Sequence, residues 1–139
     1  MQDVATALRT HLLTVEAITD LTSTRIYTGE IPDDAETIQA MPVACIVLRY
    51  VGGYVKFRTH REQEPRLDIF CYGRGYIEAG QVDGAVADAL IAIKRLDIAD
   101  TLIHSVGTSG GPRQLKEEKT GWRYVARSAI VRAGETTTA

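Results

Sequence analysis

RLDIFCYGRGYIEAGQVDGAVADALIAIKRL, residues 66–96, is the stretch that decides the fold. Its first seven residues alternate, with Leu67, Ile69 and Cys71 on one face and Asp68 on the other, until both faces turn apolar at Phe70. That is the pattern of a strand with one buried face. Gly73-Arg74-Gly75 stops it. From there Val82, Val86, Ala89, Leu90, Ile93 and Leu96 recur at spacings of three and four, which predicts a helix over 77–96 with Glu78, Asp83 and Asp88 elsewhere on the wheel. Gly80 and Gly84 each cost such a helix about 1 kcal/mol relative to Ala, and close packing against a sheet is the reason expected for them.

Toward the N-terminus, Val43 to Val51 is dense in apolar and β-branched residues and predicts a central strand entered from Pro42. Gly52-Gly53 reads as a two-residue hairpin turn, followed by a strand over 54–60 with one wet face. Further upstream, Asp3 caps a helix whose Val4, Leu8, Leu12 and Val15 form one apolar face. A break near Thr14, a short turn through Ile18 and Leu21, and a short strand at 25–28 ended by Gly29 come next. Residues 30–41 read as a loop with one helical turn at 35–39. Toward the C-terminus, a strand at 101–106, a flexible loop at 107–112, and a hairpin of 113–119 with 122–133 are expected. Pro112 and the run Lys116-Glu117-Glu118-Lys119 suit an edge strand that resists sheet-to-sheet pairing. Runs of strands joined by tight turns, with two main helices, imply an α+β fold. Its sheet is expected to be mostly antiparallel (mixed), with both helices on one face. One domain over 1–133 and a disordered tail at 134–139 are the expected organisation.

Composition narrows the function classes. The 139 residues leave room for one domain, and a formal charge of −2 argues against a protein whose task is to grip nucleic acid phosphates. Cys45 and Cys71 sit in apolar runs and read as reduced core residues. No signal-peptide pattern or bilayer-length apolar stretch is present, so folding in a cytosol is expected, with no membrane contact.

Chemical motifs are scarce. Gly107-Thr108-Ser109-Gly110-Gly111 matches G-x-S-x-G, but Pro112 follows where a helix is required, and no histidine occurs after His104. The same glycines lack the Lys and Ser/Thr of a phosphate loop. His11, His60 and His104 have no partners at metal-ligand spacing. Asp33, Asp34 and Glu36 are not completed into a calcium loop, and Gly73-Arg74-Gly75 lacks the third glycine of a dinucleotide fingerprint. No catalytic residue, metal site or cofactor is expected. Arg outnumbers Lys by 12 to 4, and Arg49, Arg58, Arg66, Arg123, Arg127 and Arg132 all fall on expected strands. Arg is the cation favoured at protein interfaces, so the bias points to assembly. Tyr50, Tyr54, Phe57 and Tyr72 would suit a nucleic-acid sheet reader, but the net charge and the missing RNA-binding motif argue against it. Trp122 and Tyr124 share a face of the last strand with Ala126 and Ile130, with core as the default role and interface as the alternative.

The order of these segments resembles the tail completion, or tail terminator, family of long-tailed bacteriophages and prophages. The likeness is carried by Leu8, Leu12 and Leu13 in the opening helix, Arg25-Ile26-Tyr27 leading to Ile31-Pro32, and Met41-Pro42-Val43 entering a strand that ends at Val51-Gly52-Gly53. It continues through residues 66–73, the Glu78-Ala79 start of an Ala-rich helix, and Gly121-Trp122-Arg123-Tyr124. The resemblance implies a non-enzymatic virion protein, assembled in the host cytoplasm, that forms a six-fold ring on the head-proximal end of the tail tube. It would stop tube polymerisation and present the head-docking surface. Its partners would be further copies of itself, the major tail tube protein and the head-tail connector proteins. DNA would pass through the lumen without sequence-specific binding, which suits a slightly acidic chain.

A ring needs two different patches that meet head to tail. Exposed Arg, Tyr and charged residues on strands supply the candidates: Arg49, Tyr54, Lys56 and Arg58 on one hairpin, Lys116 and Glu118 on the other edge, and Arg123 and Arg127 on the last strand. Two other readings stand beside this one. The first is a head-completion or joining protein of the same neck; the second is a small cytosolic ligand-binding or enzymatic α+β domain.

Overall fold

The computed structural model describes residues 3–55, 62–98 and 101–135. Along the chain these form α1 (Val4–Leu12), α2 (Glu16–Thr22), β1 (Ile26–Thr28), α3 (Ala35–Ala40), β2 (Cys45–Val55) and β3 (Glu62–Gly73). α4 (Tyr76–Ile91), β4 (Leu96–Ile98), β5 (Thr101–Lys116) and β6 (Arg123–Glu135) follow. The strands make a six-stranded sheet in the order β1-β2-β3-β6-β5-β4. Only β1 with β2 is parallel; the other pairs are antiparallel. The fold is α+β with a mixed sheet, as the segment order implies. None of the described helices is long and apolar enough to cross a membrane.

The main core lies between one face of the sheet and α1, α2 and α4. Leu67, Ile69 and Cys71 of β3 and Ala129 and Val131 of β6 point into it, against Leu8 and Leu12 of α1 and Val82, Val86 and Leu90 of α4. Both cysteines are unpaired and buried, and burial pushes the Cys45 thiol up to about 12, so neither is a reactive thiolate.

α1 is capped from two directions. The Asp3 carboxylate accepts from the Thr6 N–H at 3.0 Å. From the sheet, the Tyr50 hydroxyl accepts the Ala5 N–H at 3.0 Å and donates to Asp3. A strand tyrosine thus satisfies one of the donors that a helix start leaves unpaired. α4 begins at an Asx-free cap, Gly75, and there the Glu78 carboxylate reaches back to the Arg74 N–H at 3.0 Å and to its guanidinium at 3.3 Å.

Several sequence expectations are corrected. Gly52-Gly53 is not a turn: both residues lie inside β2, opposite Arg66 and Pro65, and a bulge between Tyr50 and Gly52 takes up the extra residue. β2 therefore runs on through the expected turn to Val55, and residues 56–60 of the expected second strand lie outside the described residues. The 107–112 loop is likewise absorbed into β5. Residues 110–112 oppose a single residue of β6 between Ser109 and Arg113, and a bulge suits a proline that has no N–H to give. The helix ends at Ile91, not Leu96. Arg95, at φ 53°, turns the chain, and Leu96 pairs with Ile103. Ile93 is still buried beyond the helix end, which is why the apolar spacing runs on. β6 also runs to Glu135, past the expected strand end at 133, with Gly134 pairing with Glu62 and Leu102.

The glycines of α4 do not pack against the sheet. A Cβ at Gly80 or Gly84 would meet nothing within 4 Å, whereas one at Gly73 would lie 2.5 Å from the Ala79 backbone nitrogen. The close approach of strand to helix is at Gly73. Gly80→Ala and Gly84→Ala are each expected to raise unfolding stability by about 0.5–1 kcal/mol, and Gly73→Ala to lower it by about 1–3 kcal/mol, in denaturant titrations.

Burial, and then the bond to Asp3, raise the Tyr50 hydroxyl from 10.0 to about 12. The unfolded chain deprotonates first, so this group's stabilisation is complete below pH 10 and is lost as pH rises toward 12. Tyr50→Phe should remove that alkaline decline while lowering stability at neutral pH by about 1 kcal/mol, measured by unfolding at both pH values.

Candidate assembly surface

The sheet face turned away from α1, α2 and α4 carries a cleft of about 480 Å³. Its floor is Val47 and Arg49 of β2, Phe70 and Tyr72 of β3, and Tyr124 of β6. Strand periodicity sets this up: Leu67, Ile69 and Cys71 face the helices, so Phe70 and Tyr72 must face the other way. Register then stacks them, because Tyr72 pairs with Tyr124 across β3 and β6. The rings of Tyr72 and Tyr124 lie 5.1 Å apart, Phe70 meets Tyr124 edge-on at 5.6 Å, and Trp122 meets Tyr72 edge-on at 6.4 Å. Such contacts add to the stabilisation that ring burial gives.

Two walls rise from this floor. One is the segment after β1, which contributes Glu30, Ile31, Asp33 and, from α3, Ile38. Asp34 caps α3 by accepting from the Thr37 N–H at 2.8 Å, and these bonds hold its carboxyl below the usual range. The other wall is the β5–β6 turn, with Glu117, Thr120 and Trp122. There Glu117 N–H donates to the Trp122 carbonyl and Gly121 N–H to the Glu117 carbonyl, both at 2.8 Å, with Gly121 at φ 75°. That positive φ favours glycine at the turn.

The cleft carries three carboxylates, Glu30, Asp33 and Glu117, against one cation, Arg49. Arg49 donates to the Gly29 carbonyl at 2.9 Å and lies 5.3 Å from the Phe70 ring centroid. None of the three carboxylates forms an ion pair among the described residues. Burial, and then the Glu117 charge, raise the Tyr72 hydroxyl well above its ordinary value, so it stays a neutral donor.

The candidate residues fall in different places. Arg49 is in the cleft; Lys116 and the exposed Glu118 flank Glu117 at its rim. Arg123 is exposed, with its guanidinium 5.7 Å from the Tyr76 ring. Tyr54 lies on β2 opposite Glu64, and Lys56 and Arg58 fall outside the described residues. Arg127 points to the helix side, where it grips Asp83 of α4 with two bonds of 2.9 and 2.7 Å. The two side chains are 13% and 6% exposed, so this pair lies inside the subunit.

Sequence reading missed two things here. Asp83, read as lying off the apolar stripe of the helix, is buried, because its partner comes from β6, 44 residues away. Trp122 and Tyr124 belong to the outer face instead of the helix-side core; the signal was present in Phe70, where the alternation gives way to apolar residues on both faces. A second exposed feature is the outer side of α4, where Ile77 is 83% and Ile91 65% exposed.

No protein-family model and no curated protein matches the chain. Among solved structures, it is similar to a chain from the virion of a native gene transfer agent particle. The TM-score is 0.66 at 16% identity, over 96% of this chain and 99% of that chain. At that identity the likeness is one of fold.

Removing one member of the Asp83–Arg127 pair leaves the other charge buried. Asp83→Ala is expected to cost about 3–5 kcal/mol in denaturant unfolding, while the double change Asp83→Leu with Arg127→Met should recover most of the loss. Equal losses in both variants would show that the pair is not what holds α4 to β6.

Proposed function

We propose that the protein is a structural virion subunit of the tail-terminator kind. Copies close into a ring on the head-proximal end of a tail tube, stop its growth and offer the docking surface for the head. The observation that carries this reading is the end-to-end fold likeness to a virion chain, 96% of one against 99% of the other. It agrees with the terminator-like order of segments from the opening helix to the Trp122 strand.

Two physical features support it. The surface offers patches of different character: an acidic, aromatic cleft on one face and, elsewhere, arginine-bearing strands. Unlike patches meeting head to tail are what generate a closed ring. A formal charge of −2 suits a passage through which DNA moves without being held.

The test is to mix the purified protein with tail tubes, image the ends by negative stain, and weigh the assembly by native mass spectrometry. A closed ring at one end of each tube, with tube growth halted, is the expected result. Persistent monomers in the presence of tubes would sink the proposal, and rings bound to heads but never to tubes would favour the joining-protein reading.

A further inference from the structure

The acidic, aromatic cleft lacks counter-charge of its own. Glu30, Asp33 and Glu117 stand around the Phe70, Tyr72 and Tyr124 rings, and the guanidinium among them, Arg49, is turned to the Gly29 carbonyl. Its place 5.3 Å from the Phe70 ring centroid shows that the floor accepts a guanidinium. Arg suits such a site because it pairs with a carboxylate and stacks on an aromatic face at once. A complementary occupant is therefore cationic, with some apolar surface to set against Ile31 and Ile38.

Among the described residues, the Arg and Lys side chains engaged by no carboxylate, carbonyl or ring are Arg66, Lys94, Arg95, Arg113, Lys116 and Lys119. Register puts Arg66 and Arg113 on the cleft's own face of the sheet, and Lys116 and Lys119 belong to the turn that walls it. Lys94 and Arg95 remain. They are exposed and adjacent, where Arg95 turns the chain from α4 into β4, and they follow Ile91, itself 65% exposed. This corner thus carries two cations and an apolar side chain within five residues.

Within one subunit the corner and the cleft cannot meet. The outer wall of the cleft follows β1 and the corner leads into β4, and these are the two edge strands of the sheet, roughly 24 Å apart at ordinary strand spacing. Along the strands they are also remote. The Arg95 N–H donates to the His104 carbonyl near the start of β5, whereas Glu117 lies just past its end, roughly 40 Å on at strand rise. The cleft, moreover, opens on the face turned away from α4. Features at diagonal ends and on opposite faces of a sheet come together only between copies.

We propose that the α4–β4 corner of one copy seats in the cleft of the next, with Lys94 and Arg95 against Asp33 and Glu117 and Ile91 against Ile38. This rests on the reading of the protein as a ring-forming subunit and names the contact that joins neighbours. The junction is heterologous, because each copy gives a corner and receives one.

The experiment uses the full-length chain and reads ring mass by native mass spectrometry, under the conditions in which the unaltered protein forms rings. One variant carries Lys94→Glu with Arg95→Glu; a second carries Asp33→Lys with Glu117→Lys; a third combines all four changes. Close charge pairs across an interface couple strongly enough that each double variant alone should lose ring by about tenfold or more. Mixed in equal amounts, the two should regain rings in which they alternate, since each corner then meets a cleft of opposite charge. The four-change chain, whose formal charge equals that of the unaltered protein, should form rings by itself, and recovery in either arm shows that the changed side chains permit folding. Arg66→Glu with Arg113→Glu makes the same change of charge away from the corner and should leave ring yield unchanged. Rings at undiminished yield from both double variants, or an equal loss in the Arg66 and Arg113 variant, would overturn the inference while leaving the ring reading intact. Loss of rings in both, with no recovery on mixing and none in the four-change chain, would overturn it as well. An unaltered protein that stays monomeric even with tail tubes would remove both.

Discussion

The architecture depends on a sheet that its helices cover on one side only. α1, α2 and α4 bury the face of Leu67, Ile69 and Val131, while the opposite face keeps Phe70, Tyr72, Tyr124 and Trp122 partly wet. A sheet with two helix layers would read as continuous apolar strands, and one with a wholly solvated back would show polar residues at every second position. This chain does neither. Its back face is aromatic where β2, β3 and β6 meet and charged at the margins, which is the make-up of a surface built to receive something.

A buried ion pair joins α4 to the sheet. Arg127 on β6 reaches through to Asp83 on α4, and both ends are nearly dry. A buried pair of this kind adds little net stability compared with apolar residues of the same volume, but it admits far fewer alternatives. α4 could slide along a smooth apolar sheet by a turn; a two-bond grip between a carboxylate and a guanidinium holds it in one register. That register also fixes Gly73 against Ala79, one turn before Asp83 on the same helix face.

Much of this was legible in the residues. The alternation of 66–72, the three-and-four spacing after Gly75 and the Asp3 cap give β3, α4 and α1 nearly as they stand, because each rests on local periodicity or a local hydrogen bond. What was not legible required distant partners. Gly52-Gly53 has the local signature of a turn, yet pairing with Arg66 and Pro65 draws it into a strand. Gly107 to Pro112 looks like a mobile loop until the facing strand β6 is present to pair with its flanks. Asp83 looks solvated until Arg127 arrives. Of the candidate surface, the Lys116 to Lys119 rim and Arg49 could be picked out as exposed charge, but not the concavity between them, which exists only once the segment after β1 is laid across the sheet.

β5 is paired with β4 over just three residues and then runs on to Lys116 with no strand on that side among the described residues. Its backbone comb is broken twice, between Ile103 and Ser105 and between Ser109 and Arg113. A strand arriving from outside would find its donors and acceptors falling out of step within a few residues, so the edge is a poor template for open-ended stacking. In the proposed role, a subunit made in many copies has to associate and yet not fibrillate. Spoiling the backbone route leaves recognition to side chains, whose geometry can demand a fixed angle between neighbours and so bring growth to an end after one circuit.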